Sequence, residues 1–184
     1  MKIVFAAAPW TKAKPNANLR SVNKALEGVW RDTAETFYAE VVAAQNTGEK
    51  MPQGMQRHLN DAIDRRLVEA GWEGKDGRFV KGDTWLRITF RHQMGLGSDV
   101  LDALRVTKLE GIAQCAIVCA PRALLNLISP NDAPALCSAE KLTVKLRELD
   151  GALDFALFAG VLETAPGLPP DVRQHLEIPR PRRA

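Results

Sequence analysis

The stretch Asp83-Thr84-Trp85-Leu86-Arg87-Ile88-Thr89-Phe90-Arg91 alternates in a way that suits an extended chain. In a β-strand successive side chains point to opposite faces, so Leu86, Ile88 and Phe90 share one face and Trp85, Arg87, Thr89 and Arg91 the other. A slip of one residue would turn all three apolar side chains outward, which pins the register. The second face carries no carboxylate. Gly82-Asp83 supplies a turn, and Arg78-Phe79-Val80-Lys81 before it alternates as well, so the two runs form a hairpin.

Working outward, the period changes from two to three or four. Upstream, Val22, Leu26, Val29, Trp30, Ala34, Phe37 and Val41 recur as one stripe, predicting a single amphipathic helix over about Ser21–Ala44. Asn46-Thr47-Gly48 ends it, and Met51-Pro52-Gln53-Gly54 is a loop. Met55, Leu59, Ala62, Ile63 and Leu67 predict a second helix, Met55–Ala70, with Gly71 as its C-terminal cap. Before these, residues 1–19 read as a strand or extended arm and a loop.

Downstream, Gly95-Leu96-Gly97 breaks the strand. Ser98 caps a helix with Asp99 in its first turn and Val100, Leu101, Leu104 and Leu109 as its buried stripe. An apolar strand, Gln114–Ala120, follows, then a loop rich in proline (Pro121, Pro130, Pro134). Ser138 caps a further helix that turns Leu142, Leu146 and Leu149 inward, and the last strand is Leu153–Val161. Residues 1–165 are expected to form one domain, with a Pro- and Arg-rich tail from 166 to 184. Strands alternating with helices predict an α/β fold, a three-layer mixed sheet flanked by helices, with two helices at its N-terminal end.

Composition narrows the class only a little. The 184 residues are 46% hydrophobic and 26% charged, enough to bury one core. A net charge of +3 and a pI near 8.9 permit a polyanionic partner without requiring one. Cys115, Cys119 and Cys137 are too few for a disulfide framework. Cys115 and Cys119 would stand about 13 Å apart on a strand rising about 3.3 Å per residue, too far to bridge. All three read as small core residues. Met1–Ala8 is apolar but too short for a signal sequence, and no run is long enough to cross a bilayer. A soluble, cytoplasmic protein is expected.

The succession now has a counterpart. A helix ending in Gly71-Trp72-Glu73 leads into the hairpin Arg78–Arg91, then a helix, a strand Cys115-Ala116-Ile117-Val118-Cys119, a helix, and a closing strand through Phe155-Ala156-Leu157-Phe158. Over residues 20–163 it resembles the BglII-like branch of the restriction endonucleases, which have the PD-(D/E)XK nuclease fold. Residues Asp83–Phe90 resemble that branch's central catalytic strand. The resemblance implies a Glu on this strand, a Lys, Gln or Glu two residues on, and an Asp upstream. Oxygens at i and i+2 of a strand can converge on a divalent cation that activates water. Here those positions hold Arg87 and Thr89, and the upstream acid falls near Arg78.

The resemblance therefore implies a nuclease scaffold whose catalytic carboxylates are lost. Double-stranded DNA would be the partner, a homodimer the assembly, and no cofactor would be needed. The basic face and its flanks, Arg78, Lys81, Arg87, Thr89, Arg91 and His92, with Lys75 nearby, are the candidate phosphate-gripping residues. Arg87 has a second reading, as a partner for a helix carboxylate such as Asp99. An active endonuclease would need Mg²⁺ held by relocated acids, for which Asp76, Asp83, Asp99, Asp102, Glu27, Asp32 and Glu35 are candidates. A third alternative is a dimeric interaction module built on the two N-terminal helices. His58, His92 and His175 have no nucleophile at telling spacing, and Gly95-Leu96-Gly97-Ser98 lacks the glycine and lysine of phosphate-cradling loops.

Overall fold

Alternating residues form strands and periodic ones form helices, and together they sort the side chains into two cores, one on each face of a sheet. The structure is a computed structural model that describes residues 1–164; the stretch from 166 onward, read as a tail, lies outside the described residues, as does His175. The strands are β1 (Lys2–Ala7), β2 (Glu73–Lys75), β3 (Arg78–Lys81), β4 (Thr84–Thr89), β5 (Gln114–Cys119) and β6 (Leu157–Glu163). The helices are α1 (Ala17–Ala25), α2 (Val29–Thr47), α3 (Gln56–Glu69), α4 (Leu96–Leu109), α5 (Arg122–Ile128) and α6 (Ala139–Glu148).

The sheet order is β1-β6-β5-β4-β3-β2. The central strands β4, β5 and β6 run parallel, which requires the helical crossovers α4 and α5–α6. Both edges are antiparallel: β1 lies against β6, and β2–β3–β4 form a meander. This is the expected three-layer α/β arrangement around a mixed sheet.

Strand parity assigns the cores. Leu86, Ile88 and Phe90 join Ala116, Val118, Phe158 and Leu162 beneath α1, α2, α3 and α5. Trp85, Cys115, Ile117, Cys119, Leu157 and Ala159 face the other way, beneath α4 and α6. Both faces of β4 are therefore covered, and all six of its residues are buried.

Several expectations need correction. The long helix Ser21–Ala44 is two helices, because Gly28 takes φ 79° and turns the chain between them. Leu26 and Val29, either side of the break, are both fully buried, so the apolar stripe runs through the turn unbroken and hides it. That stripe is consumed by the chain's own core. Helix α4 begins at Leu96, so Ser98 lies inside it and makes no cap. Its buried side is Leu96, Val100, Ala103 and Val106, while Leu101 and Leu109 face solvent.

The proline-rich loop contains α5, which starts directly after Pro121. The closing strand spans Leu157–Glu163 rather than Leu153–Val161. Ser138 does cap α6, its Oγ accepting from Lys141 N at 3.4 Å, and Gly71 leaves α3 with φ 80°. Among the described residues, no helix is long and apolar enough to cross a membrane.

Candidate nucleic-acid interface

The turn that joins β2 to β3, Asp76-Gly77, depends on its glycine, and it extends the hairpin by one strand. Gly77 has φ 75°, and a Cβ there would come within 2.1 Å of the Ile88 carbonyl. The close approach lets Ile88 N donate to Gly77 O at 2.8 Å. From α3, the Asp64 carboxylate accepts Asp76 N at 2.7 Å and Gly77 N at 3.4 Å. From β4, Arg87 Nη1 donates to Asp76 O at 2.8 Å. The turn is thus pinned from both sides, and the space between α3 and the hairpin is a cleft of about 840 Å³.

Arg87 is the centre of the site. Its side chain is 5% exposed, and its Nε lies 3.1 Å from Oδ1 of Asp99, which is 1% exposed. Arg91, two strand periods further on, places Nη1 3.8 Å from the same oxygen. Arg78 sits opposite Arg87 in the register and pairs with Asp102, one turn beyond Asp99 on α4. Three guanidinium groups therefore share two carboxylates of one helix. Burial pushes the Asp99 carboxyl above its ordinary value, and the attraction of Arg87, Arg91 and Arg78 only partly offsets this. Burial likewise pushes Arg87 below its usual value, against the pull of Asp99.

The structure brings some candidate residues together and separates others. Arg78, Arg87, Thr89 and Arg91 all line the cleft. Thr89 is buried, its Oγ1 accepting from Arg91 N at 3.3 Å. His92 is exposed and shares an adjoining hollow with Arg91. Lys81 does not belong to the group. It lies on the opposite face of the hairpin, where its Nζ donates to Ala70 O at 2.6 Å and closes the end of α3.

Sequence reasoning passed over the α3 wall. Arg57, Asn60, Asp61 and Asp64 face the cleft at three- and four-residue spacing, and the rule that found the apolar stripe of α3, applied to its polar residues, would have found them. Five basic side chains and three carboxylates line the cleft, and Asp99 and Asp102 behind it neutralise part of that charge. The cations left facing outward are Lys75, Arg91 and the half-exposed Arg78. Arg57 is also exposed but engages Glu40 at 3.0 Å.

No protein-family model matches the chain, and no protein of curated function matches it by sequence. Solved structures do. Free BglII is similar over 90% of this chain and 81% of its own, at 15% identity and a TM-score of 0.50. The restriction endonuclease BglII complexed with a DNA 16-mer is similar over 90% and 79%, at 17% identity and a TM-score of 0.52. The chain has a BglII-like restriction endonuclease fold.

Two of the positions that the family resemblance implies for metal ligands hold Arg87 and Thr89, and the third falls near Arg78. Guanidinium nitrogens are donors only and carry positive charge, so this set does not fit a divalent cation. The other carboxylates weighed from the sequence are spread out. Asp99 and Asp102 serve the arginines, Asp32 pairs with Arg66 at 2.8 Å, and Glu35 with Arg31 at 2.7 Å. Glu27 lies near the N-terminal amine, and Asp83 stands in the β3–β4 turn. Among the described residues, no three His, Cys, Asp or Glu side chains gather as a cage for a metal ion. His58 is tied to the Glu40 carboxylate through Nε2, with its ring edge-on to Phe37 at 6.2 Å.

Proposed function

We propose that this chain binds double-stranded DNA through its phosphate backbone and does not cleave it. The observation that carries the reading is the Arg87–Asp99 pair, a guanidinium held inside the fold at the position where a nuclease of this type needs a carboxylate. Lys75, Arg78 and Arg91 at the mouth of the cleft are the phosphate-binding groups, with His92 beside them and Arg57 opposite. Arg87 and Thr89 contribute from beneath, by holding the hairpin turn and the exit of β4. Charge-assisted bonds from arginine to phosphate are short and often bidentate, which suits an open cleft lined by guanidinium groups. The DNA-bound BglII structure supports duplex DNA as the partner class, and a homodimer is the assembly we propose with it.

A competing reading is a Mg²⁺-dependent endonuclease with relocated ligands. What favours it is that Asp61 and Asp76 open onto the same cleft. A mobility-shift series on duplex DNA, run beside a cleavage assay with Mg²⁺ or Mn²⁺, separates the two. The proposal expects shifted, intact duplex at low salt with or without metal. Strand scission that chelation abolishes would replace it with the competing reading, and absence of any shift at low salt would remove DNA from the account.

A further inference from the structure

Two of the three cysteines are arranged for chemistry that the cleft does not use. Beyond Thr89, β4 continues as an irregular segment, and residues 135–137 run beside it. Gln93 N donates to Ala135 O at 3.0 Å, His92 and Leu136 form a bridge, and Cys137 N donates to Arg91 O at 2.9 Å. The same segment reaches β5, where Ala139 N donates to Ala120 O at 2.9 Å. These bonds bracket Cys119 and Cys137, which lie in one buried apolar cluster, each thiol shifting the other's ionisation, while Cys137 Sγ donates to Ser138 O at 3.7 Å. Both are free thiols.

The two sulfurs differ in kind. Cys137 stands one residue before the Ser138 cap of α6 and lines an apolar cleft of about 430 Å³ with Met94, Leu96, Lys141 and Val144. The neighbouring Cys119 thiol pulls the Cys137 thiol below its usual value, burial opposes this, and Lys141 and Arg122 add to the pull. Cys119, sealed in the core, is held well above the usual value. Cys115 on the same strand is a built-in contrast. It bonds to Thr107 Oγ1 at 3.3 Å, and burial pushes it up to about 11.

We propose that Cys119 and Cys137 are a redox-active dithiol, which an oxidant of the peroxide class, entering along the Met94–Val144 cleft, closes into a disulfide. The Cys137 thiolate attacks one peroxide oxygen. The O–O bond breaks, and a sulfenic acid and one water result. Cys119 Sγ then attacks the Cys137 sulfur. The S–S bond forms, the S–O bond breaks, and the hydroxyl leaves as a second water with the Cys119 proton. Two thiols lose two electrons and one peroxide becomes two waters. A thiol reductant reverses the change.

The experiment treats the native full chain with hydrogen peroxide, blocks remaining thiols with an alkylating agent, and maps peptides without reduction. The expected product is a monomeric chain lighter by two hydrogens, with a peptide joining Cys119 to Cys137 and Cys115 alkylated. Cys115→Ser should give the same product, and Cys119→Ser should instead trap a sulfenic acid at Cys137. The proposal is overturned if all three thiols remain alkylatable at a peroxide dose that oxidises a small free dithiol. It is equally overturned if the bridge involves Cys115 or a second chain.

Discussion

Arg87 and Asp99 are both nearly sealed from solvent, and their other contacts, Arg91 at 3.8 Å from Asp99 and the Asp76 carbonyl on Arg87, are too loose or uncharged to replace the partner lost. A buried ion pair offsets its own desolvation poorly, but removing one member leaves an uncompensated charge in the core. Asp99→Asn should therefore cost about 3–5 kcal/mol of stability in urea unfolding, a typical loss for breaking such a pair. The double change Arg87→Met with Asp99→Leu should recover most of it, which an exposed pair would not do. Arg91 is the opposite case. It is half exposed and only loosely held by Asp99 at 3.8 Å, so Arg91→Ala should leave stability within about 0.5 kcal/mol of the parent, as surface changes usually do.

At this scale the sequence showed the identities but not the partners. Alternation alone put Arg87 and Arg91 on one face and placed Asp99 within reach as an option. Only the packing of α4 on that face decides that Arg87 is spent internally while Arg91 is not. Lys81 was grouped with the arginines by nearness along the chain, although its place in β3 puts it on the other face.

At the scale of elements, the hairpin turn and the α1–α2 break depend on backbone conformations that favour glycine. Gly77 combines a positive φ with a carbonyl 2.1 Å from where a Cβ would stand. Gly77→Ala should cost at least about 2 kcal/mol, since strain of this kind alone costs about 1–3 kcal/mol. Gly28 has a similar φ, but nothing lies closer than 3.8 Å to a Cβ there. Gly28→Ala should cost only about 1 kcal/mol in the same unfolding experiment, from backbone strain alone. The difference between the two variants tests whether close approach, rather than φ alone, shapes the hairpin.

These elements also mark what periodicity can and cannot reveal. Strands β4 and β5 were legible because alternation and a short apolar run are local signals. The break at Gly28 was not, because the buried stripe continues across it. Helix α5 was masked by the prolines around it, and α4 drew its expected stripe from large side chains, whereas Ala103 and Val106 are what face the sheet.

For the whole molecule, the sheet order and the two covered faces set where a polyanion can bind. The face of β4 that carries arginine lies under α4, so phosphate can reach only the open end of the cleft between α3 and the hairpin. The stretch 166–184, with its own arginines, is a second source of charge. Deleting it should weaken binding without abolishing it if the cleft is the main contact.

The central claim is that the cleft grips phosphates. Its most direct measurement is the fluorescence anisotropy of a labelled duplex titrated with the full chain and with Arg91→Ala across a salt series. The expected result is binding that weakens with salt, with log K falling at a slope of about −2 to −3 per chain for three phosphate contacts, and a slope about one unit shallower for Arg91→Ala. A parent and variant with the same affinity and the same slope would contradict the account, because the duplex would then be held somewhere other than this cleft.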